Sequence, residues 1–520
     1  MKIVDDKVLV VNTRRPQLVT EKIRKSKVIA THGDIHEVAV HWGVEEAQKL
    51  TELKIKDVPS PITRDYKWTG KFSPFNHQKE TSSFLSIRKK AFCFNEQGTG
   101  KTASVIWAAD YLMKLGLIKR VLVICPLSIM KSAWQQDLFK FAMHRSCAIA
   151  HGTAKVREKV IQTSTDFTII NFDGVAVVEA EITKAKFDLI VVDEANAYKN
   201  AQTNRWKVLS RIMKNIDPAL WMMTGTPAAQ SPLDAYGLAK LVNPDGTPKF
   251  FGAYRDQVMF KATQYKWLPK PNAKDMVHYI LQPAIRFEKK QCLDLPEVTY
   301  VEREAPLTPQ QEKYYKMLKR QMIMEAAGET ISSVNAATNI NKLLQISGGA
   351  VYTDDKEVVE FDVSNRINVV LEAIEESSHK VLVFVPFTHT IELLRKALED
   401  NNITCDVING KVSVNKRSEI VKQFQETDTP HVLIIQPQAA SHGLTLTAAN
   451  TIIWYAPVPS VETYLQANAR IDRPGQKNPM TIINIRGSDV ENKLYKMLQT
   501  NIENHGKIID LYRQELEEDA

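Results

Sequence analysis

The chain has 520 residues, which is too long for one ordinary hydrophobic core and predicts two or three domains. Hydrophobic residues make up 44% and charged residues 25% of the chain, values that exclude a disordered or fibrous class. The formal net charge of +8 is a mild excess, which favours a nucleic-acid partner only slightly.

The cysteines and the apolar runs bear on where the protein works. Its five cysteines lie far apart without a CxxC pair, which argues against a zinc or disulfide framework and predicts reduced thiols. No apolar run approaches the roughly 18 residues that cross a bilayer. Asp5 and Asp6 interrupt any secretory signal. We therefore expect a cytoplasmic protein with no membrane partner.

Residues 1–70 are expected to form an accessory N-terminal region. The stretch TRRPQLVTEKIRKSK is strongly basic, whereas QELEEDA makes the C-terminus acidic. A basic run is usually a solvated face, so DNA binding by this region is a hypothesis that rests on its charge.

From about residue 90, short apolar runs alternate with amphipathic segments. The segment TASVIWAADYLMKLG has apolar residues at helical spacing and stops at Gly116. Continuous apolar runs predict parallel strands that helices cover on both faces, with function at the carboxyl ends of the strands. We expect a first α/β lobe over residues 71–240, with strands in AFCF, RVLVICP, FTIINF, FDLIVVDE and ALWMMTGTP.

The pattern loosens over residues 241–360, which we interpret as a mainly helical bridge or insertion. PLTPQQEKYYKMLKRQMIMEAAG predicts a long helix with Pro306 and Pro309 at its start and Gly328 at its end. A second α/β lobe is expected over residues 361–520, with strands in KVLVFVP, ITCDVING, HVLIIQP, NTIIWYAP and MTIINIRG. The predicted fold is α/β, with two parallel-sheet lobes, the bridge between them and a small N-terminal domain.

The segment NEQGTGKT lies between a predicted strand and a predicted helix, where a phosphate loop must be. The general pattern GxxxxGK[ST] has glycine where this chain has Asn95. Lys101 would supply a charge to the β and γ phosphates, and the Thr102 hydroxyl can bind Mg²⁺. A chance match in a surface turn is the alternative. The candidate nucleotide ligands are Gly98, Thr99, Gly100, Lys101 and Thr102.

A Mg²⁺–nucleotide site also needs a carboxylate on the neighbouring strand. In FDLIVVDEANAYKN, Asp193 would hold Mg²⁺ through water and Glu194 would polarise the attacking water. Further along, Arg470 and Arg473 are three residues apart, so on a helix they would share a face. Both could reach the γ phosphate as arginine fingers, although surface arginines are an even alternative.

The order of these motifs resembles the SNF2 family of DNA-dependent ATPases, in superfamily 2, over roughly residues 71–500. The family's phosphate loop reads DEMGLGKT, so NEQGTGKT is similar in lacking glycine at its first position. YLQANARIDRPGQ is similar to the family's QAxxRxHRxGQ, with Asp472 in place of histidine. Asn196 stands where the family's DEAH box has histidine, a departure that bears on interlobe coupling and not on hydrolysis.

The resemblance implies two RecA-like lobes that bind ATP with Mg²⁺ and act on DNA, with RNA a weaker alternative. It also implies roles for residues that spacing does not single out. Gln78 would contact the adenine edge, and Thr224, Gly225 and Thr226 would couple ATP state to lobe closure. Glu194, Gln466, Arg470 and Arg473 would be catalytic, and DNA contacts would come from Pro126, Leu127, Ser128, Trp134, Gly443 and Thr445.

The chain is similar to the branch-migration and fork-remodelling helicases of T5-like bacteriophages, which would place it in the host cytoplasm. We expect an ATP-dependent DNA translocase that acts on duplex, forked or four-way-junction DNA in replication, recombination or repair. The alternatives are a translocase that displaces proteins from DNA and a nucleotide-gated DNA clamp that does not travel.

Overall fold

The computed structural model describes residues 1–228, 231–262, 267–292, 295–328, 333–352, 358–440 and 444–500. Over these ranges the chain forms two compact units, with the division after Cys292. None of the helices described is long and apolar enough to cross a membrane.

Unit 1 begins with strands β1 (Lys2–Val4), β2 (Val8–Thr13), β3 (Ser26–His32) and β4 (Ile35–His41) and helices α1 (Pro16–Lys22), α2 (Val44–Glu52) and α3 (Ile62–Asp65). In the described chain these strands form an antiparallel sheet in the order β1-β2-β4-β3. Leu9 and Val11 alternate with more exposed residues, so one face of the sheet is buried. Ile87 belongs to the same apolar cluster, which packs this small sheet against the rest of unit 1.

The main sheet of unit 1 is parallel throughout, as its continuous apolar runs predict. Within the described residues its strand order is β13-β5-β10-β9-β6-β8-β7. The five strands predicted for this lobe are confirmed, and β7 and β13 were not predicted. The bounds are β5 (Lys90–Cys93), β6 (Val121–Cys125), β7 (Cys147–Ala150), β8 (Phe167–Asn171), β9 (Leu189–Asp193), β10 (Ala219–Met223) and β13 (Ala284–Ile285).

Helices cover both faces of this sheet. Along β6, Leu122 and Ile124 belong to one apolar cluster, whereas Val121 and Val123 belong to another. Strands buried on both faces need apolar residues at every position, which explains the continuous runs. The helices are α4 (Asn76–Ser86), α5 (Lys101–Lys114), α6 (Gln136–Phe141), α7 (Ala154–Gln162), α8 (Phe172–Val177), α9 (Glu179–Ala185), α10 (Asn204–Ile216), α11 (Ala235–Val242), α12 (Phe251–Val258), α13 (Ala273–Ile280) and α14 (Lys289–Cys292), with a short hairpin of β11 (Met259–Lys261) and β12 (Trp267–Pro269).

Unit 2 contains a second parallel sheet, in which the described strands follow the order β14-β21-β20-β17-β19-β18. The five strands predicted here are confirmed. The strands are β14 (Val298–Glu304), β17 (Lys380–Phe384), β18 (Cys405–Ile408), β19 (Val432–Ile435), β20 (Ala449–Trp454) and β21 (Met480–Arg486), and β15 (Ala350–Tyr352) pairs with β16 (Val358–Glu360). The helices are α15 (Pro309–Gly328), α16 (Ser333–Gly348), α17 (Ser364–Glu375), α18 (Thr388–Asp400), α19 (Val414–Glu426), α20 (Pro437–Ala440) and α21 (Val461–Asn468).

The segment 241–360, predicted as a bridge, is divided between the two units. α12 and α13 pack into the core of unit 1, and β13 extends its sheet. The predicted long helix is α15, but β14 before it already pairs with β21 of unit 2. β14 ends in Glu302, Arg303 and Glu304, and this edge strand therefore lacks the apolar run on which the prediction relied.

Candidate active site

Three adjacent strands of unit 1, β5, β10 and β9, end at the same edge of the sheet and lead into the predicted motifs. The last residue of β10, Met223, lies opposite both Cys93 of β5 and Asp193 of β9. The phosphate loop follows Cys93, and the threonine segment 224–226 follows Met223. Because parallel strands end together, the topology itself gathers the loop, the acids and the threonines.

The phosphate loop joins β5 to α5, as the sequence predicts. Gly98 and Gly100 have φ angles of 83° and 79°, in the left-handed region that favours glycine. A Cβ at Gly100 would lie 2.1 Å from Nε2 of Gln78 on α4, so a side chain there would have to displace that amide. Nζ of Lys101 donates to the carbonyl oxygens of Asn95 and Glu96 at 2.9 and 3.1 Å. The backbone at the start of the loop therefore binds the ammonium group of Lys101.

The residues of this loop fit a nucleoside triphosphate with Mg²⁺. Helix α5 begins at Lys101, so Thr102 lies in its first turn, where unpaired backbone N–H groups and the helix dipole favour an anion. Thr102 can supply the hydroxyl ligand of Mg²⁺, and Asp193 can supply a carboxylate from the neighbouring strand.

Asn95 stands where the general phosphate-loop pattern has glycine, and it anchors the loop on two sides. Its Nδ2 donates to Oγ1 of Thr81 on α4 at 2.8 Å, and its Oδ1 accepts the N–H of Phe287 at 3.0 Å. The backbone at this position has no positive φ, so glycine is not required. An amide side chain offers both a donor and an acceptor, and both are used here.

Gln78, which we predicted to contact adenine, is buried beside the phosphate loop. Its Oε1 accepts the N–H of Phe75 at 3.0 Å, and its Nε2 donates to the carbonyl of Thr99 at 3.2 Å. Nε2 of His77 donates to the same carbonyl at 2.8 Å. The side chain is therefore held against the loop, and its contact with the base stays a prediction.

Asp193 is buried at the end of β9, and its carboxylate is held by hydrogen bonds. The indole N–H of Trp134 donates to Oδ2 at 2.9 Å, and the backbone N–H of Glu194 donates to Oδ1 at 2.9 Å. Burial raises the pKa of Asp193, although the charge of Lys101 and the indole bond oppose that rise.

Trp134, which we predicted to contact DNA, is fully buried in this structure. Its indole N–H is engaged with the Asp193 carboxylate, and its contact with DNA stays a prediction. Of the other predicted contacts in this segment, Leu127 is 48% exposed and Ser128 is half-buried, whereas Pro126 is buried. DNA contact by this segment stays a prediction.

The acidic loop is linked to the threonine segment. Glu194 has a φ of 52°, and this left-handed turn leads from β9 into a short 3₁₀ helix, Ala195–Tyr198. Nδ2 of Asn196 donates to both the carbonyl and Oγ1 of Thr226, each at 3.0 Å, and the N–H of Thr226 donates to Oγ1 of Thr224 at 3.2 Å. Asn196 thus connects the two segments where the family has histidine.

In unit 2, Arg470 and Arg473 do not share a helical face, contrary to the prediction, because α21 ends at Asn468 and both arginines follow it. Arg470 is only 2% exposed and donates to the carbonyl of Leu444 at 3.2 Å. Arg473 is half-buried and donates to Oγ1 of Thr445 at 3.3 Å. The part they play at the phosphate stays a prediction.

Two glutamines of the same motif, Gln466 and Gln476, form hydrogen bonds within unit 2. Gln466 is buried, and its Nε2 donates to Oε1 of Glu462 at 3.2 Å. Its predicted catalytic role stays a prediction. The side chain of Gln476 donates to the carbonyl of Ala449 at 2.8 Å. Gly443, a predicted DNA contact, lies outside the described residues.

Sequence reasoning missed the role of Arg286, which follows β13. Its guanidinium donates to the carbonyl oxygens of Phe94 at 2.6 Å and Gly225 at 3.4 Å and to Oε1 of Glu96 at 3.1 Å. Arg286 therefore joins the phosphate loop to the threonine segment. It is 190 positions from Glu96 along the chain, so sequence spacing does not bring the two residues together.

Family models match both units. One described as SNF2-related domain matches residues 41–348, and one described as helicase conserved C-terminal domain matches residues 365–475. The first match starts inside the segment 1–70 that we set apart from the resemblance.

Several known proteins are similar to this chain. The Mus musculus protein named chromodomain-helicase-DNA-binding protein 1-like is 25% identical over 436 residues, which cover 80% of this chain and 47% of that protein. An uncharacterized ATP-dependent helicase of Mycoplasma genitalium is 26% identical over 399 residues, which cover 75% of this chain and 37% of that one. This chain thus spans less than half the length of these curated relatives.

Among solved structures, the SWI2/SNF2 ATPase core of Sulfolobus solfataricus in complex with dsDNA is 22% identical, with a TM-score of 0.41. That comparison covers 85% of this chain and 94% of the other.

Proposed function

Because the chain belongs to the SNF2-related family, we propose that it is a DNA-dependent ATPase that uses ATP to move along DNA. The observation that carries this proposal is the edge of the unit 1 sheet. There the phosphate loop, the acidic pair and the threonine segment follow three adjacent strands. The names of the relatives, which include helicases and a DNA-binding protein, support a function on nucleic acid.

In the proposed site, Lys101 would balance the charge of the β and γ phosphates, and Thr102 and Asp193 would hold Mg²⁺. When bound, Mg²⁺ neutralises charge that develops on the transferring phosphoryl group. Glu194 orients and polarises the attacking water. Trp134 keeps the Asp193 carboxylate in one orientation through a 2.9 Å hydrogen bond.

Unit 2 supplies arginine fingers in this proposal, as the family resemblance implies. Arg473 has the simpler path to a phosphate, because it is half-buried and bonds to the exposed hydroxyl of Thr445. Arg470 is buried against the carbonyl of Leu444, so its arrival at the phosphate requires the loop around it to rearrange.

The proposed substrate is duplex, forked or four-way-junction DNA. Contacts to backbone phosphates would make binding independent of sequence and sensitive to salt. Branch migration or fork remodelling suits a translocase that lets the strands pair again behind it. The proposed location is the cytoplasm, that of the host if a phage encodes the chain.

The test compares ATP turnover with double-stranded DNA, single-stranded DNA, a four-way junction and RNA. Stimulation by duplex or junction DNA above that by RNA is the expected result. Binding of duplex without any stimulated turnover would favour the nucleotide-gated clamp and contradict the motor. A Holliday-junction assay run beside a protein-roadblock assay then separates branch migration from removal of bound proteins.

A further inference from the structure

The segment that leaves unit 1 runs along the phosphate loop. β13 pairs in parallel with β5, and the hydrogen-bond ladder continues past both strands. The N–H of Phe94 donates to the carbonyl of Ile285 at 2.8 Å, and the N–H of Glu96 donates to the carbonyl of Phe287 at 3.0 Å. Unit 1 ends soon afterwards, at Cys292. The connection to unit 2 therefore begins on the phosphate loop.

Side chains of the loop hold this segment beyond the ladder. The carboxylate of Glu96 accepts the guanidinium of Arg286 at 3.1 Å and the backbone N–H of Lys289 at 2.9 Å. Oδ1 of Asn95 accepts the N–H of Phe287 at 3.0 Å. These contacts depend on the side chains at 95 and 96, whereas a strand ladder would form with any residue there.

Arg286 makes the connection costly to break. Its side chain is 4% exposed, and a buried guanidinium must keep its acceptors because an unpaired buried charge is strongly unfavourable. Those acceptors are the carbonyl oxygens of Phe94 and Gly225 and the carboxylate of Glu96. A shift of the phosphate loop or of the threonine segment must therefore move Arg286 and the segment that follows it.

Lys101 provides the link to nucleotide. Its ammonium donates to the carbonyl oxygens of Asn95 and Glu96, the two residues whose side chains hold the connecting segment. A phosphate group competes for the same ammonium, because it offers a full negative charge where the carbonyls offer a dipole. Binding of phosphate at Lys101 thus changes what holds the backbone at 95 and 96.

We infer that Glu96 and Arg286 are positioning residues, which transmit the state of the phosphate loop to the segment that leads into unit 2. The inference rests on the proposed ATPase function and adds a physical route from nucleotide to the second unit. Neither side chain touches substrate in this account, and their effect is exerted through the backbone of residues 286–292.

The kinetic test uses Glu96→Gln, Arg286→Lys and the double variant in the full chain. Loss of the pair should lower kcat with saturating duplex DNA about tenfold, since small misplacements far from the chemistry slow it strongly. The KM for ATP should change by less than about threefold, and the double variant should be no worse than the worse single one.

The matched control is the exposed Arg211–Glu179 pair, in which Nε and Oε1 lie 2.8 Å apart and which joins α10 to α9. Glu179→Gln and Arg211→Lys should leave kcat and KM within about twofold, as a surface ion pair contributes little. A KM that rises as much as kcat falls in the Glu96 and Arg286 variants, or losses that add in the double variant, would overturn the inference. The first result would mean that the pair maintains the ATP-binding shape of the loop, and the second that the two side chains act independently.

Hydrogen exchange tests the route without relying on turnover. In the full chain, a non-hydrolysable ATP analogue should change exchange at the amides of Phe287 and Lys289, and Glu96→Gln should abolish that change. An identical change in both proteins, or none in the wild type while the analogue protects residues 95–102, would overturn the inference. A wild type without DNA-stimulated turnover would contradict the proposed function instead, and the exchange result would still decide the route.

Discussion

Trp134 illustrates how a single buried side chain sets the properties of its neighbour. A carboxylate without solvent tends to be protonated, and burial does raise the pKa of Asp193. The indole N–H favours the ionised form of Asp193. It can donate to a carboxylate oxygen, but it offers no acceptor for the O–H of a protonated carboxyl group. The same bond fixes the orientation of Oδ2, on which the proposed Mg²⁺ contact would depend.

Replacement of the Trp134 indole donor should raise the Mg²⁺ concentration that ATP hydrolysis requires, while the protein still folds. Trp134→Phe keeps an aromatic ring and removes the N–H, so Asp193 loses a partner that orients it. We expect kcat to fall and the Mg²⁺ concentration for half-maximal ATP hydrolysis to rise, each by roughly tenfold. The measurement is ATP hydrolysis as a function of Mg²⁺ concentration.

Trp107→Phe is the matched control. Trp107 is also buried in unit 1, and its indole N–H donates to the backbone carbonyl of Thr69 at 2.8 Å instead of to a carboxylate. This variant should lose comparable stability and keep the wild-type Mg²⁺ requirement. Equal Mg²⁺ dependence in the two variants would contradict a positioning role for Trp134.

Among the elements, α5 is tied to its neighbours through Asp110, which is fully buried. Its carboxylate accepts the hydroxyl of Tyr66 at 2.6 Å, Nε2 of His144 at 2.8 Å and Nε of Arg145 at 2.6 Å. Burial alone would raise the pKa of Asp110, but the bonds from Tyr66, Arg145 and His144 outweigh it and the pKa is lowered. The helix that carries the phosphate-binding turn is thereby fixed in place.

This network predicts a stability difference that depends on pH. A carboxyl whose pKa is lowered by folding stabilises the protein above the ordinary aspartate pKa of about 4, and that contribution is lost as pH falls through the lower folded-state value. Asp110→Asn should reduce stability by about 3 kcal/mol near neutral pH, because it leaves Arg145 in a broken buried pair. The gap should shrink below about pH 4 in urea unfolding followed by fluorescence.

The control for this prediction is Asp173→Asn, because the side chain of Asp173 is 82% exposed although it pairs with Arg205. It should change stability by less than about 0.5 kcal/mol at every pH. A difference between wild type and Asp110→Asn that stays constant from neutral to acid pH would contradict the account of the network.

The elements that sequence predicts are those with a strong local signal. Strands such as β6 and β9 are continuous apolar runs, apart from Asp193 at the end of β9, because they are buried on both faces, and they were predicted. β13 has two residues, and β14 is a polar edge strand, so neither carries such a signal. The small N-terminal sheet was not predicted as strands, since only its charge was considered.

Some residues of the candidate site could also be predicted from local sequence, whereas others could not. Gly98, Gly100 and Lys101 could be assigned from spacing, because the phosphate loop is a local structure. The hydrogen bonds of Trp134 and Arg286 join residues far apart in sequence, so only the fold reveals them. The arginines of unit 2 were placed on a helix that ends at Asn468, since helix boundaries are weakly marked in sequence.

At the scale of the whole chain, the basic N-terminal sheet raises the question of what it contacts. Arg14 and Arg15 are exposed just before α1, and this cluster favours DNA phosphates. A deletion of the sheet would also uncover Ile87, which shares its apolar cluster. Charge removal at the surface therefore tests DNA binding more cleanly than truncation does.

Arg14→Ala with Arg15→Ala should weaken binding to a four-way junction and leave ATP binding unchanged. If each arginine meets one phosphate, the slope of log affinity against log salt should fall in magnitude by about two. Binding is measured by fluorescence anisotropy over a range of salt concentrations.

Lys184→Ala with Lys214→Ala removes the same charge from the last turns of α9 and α10. Helices of a parallel α/β sheet run opposite to its strands, so these ends lie away from the phosphate loop. This pair should leave junction binding and its salt slope unchanged. The same loss of affinity in both double variants would mean that only overall charge matters, which contradicts DNA contact by the N-terminal sheet.

ATP hydrolysis by the wild type and by Glu194→Gln, with and without saturating duplex DNA, tests whether the chain is a DNA-dependent ATPase. Duplex should stimulate the wild type, and the variant should lose a factor of about a hundred or more in kcat, the contribution of a general base. Its affinity for ATP should stay within about threefold of the wild type, since Lys101 and Thr102 remain. Turnover by Glu194→Gln at the wild-type rate, or a wild type indifferent to DNA, would contradict the account.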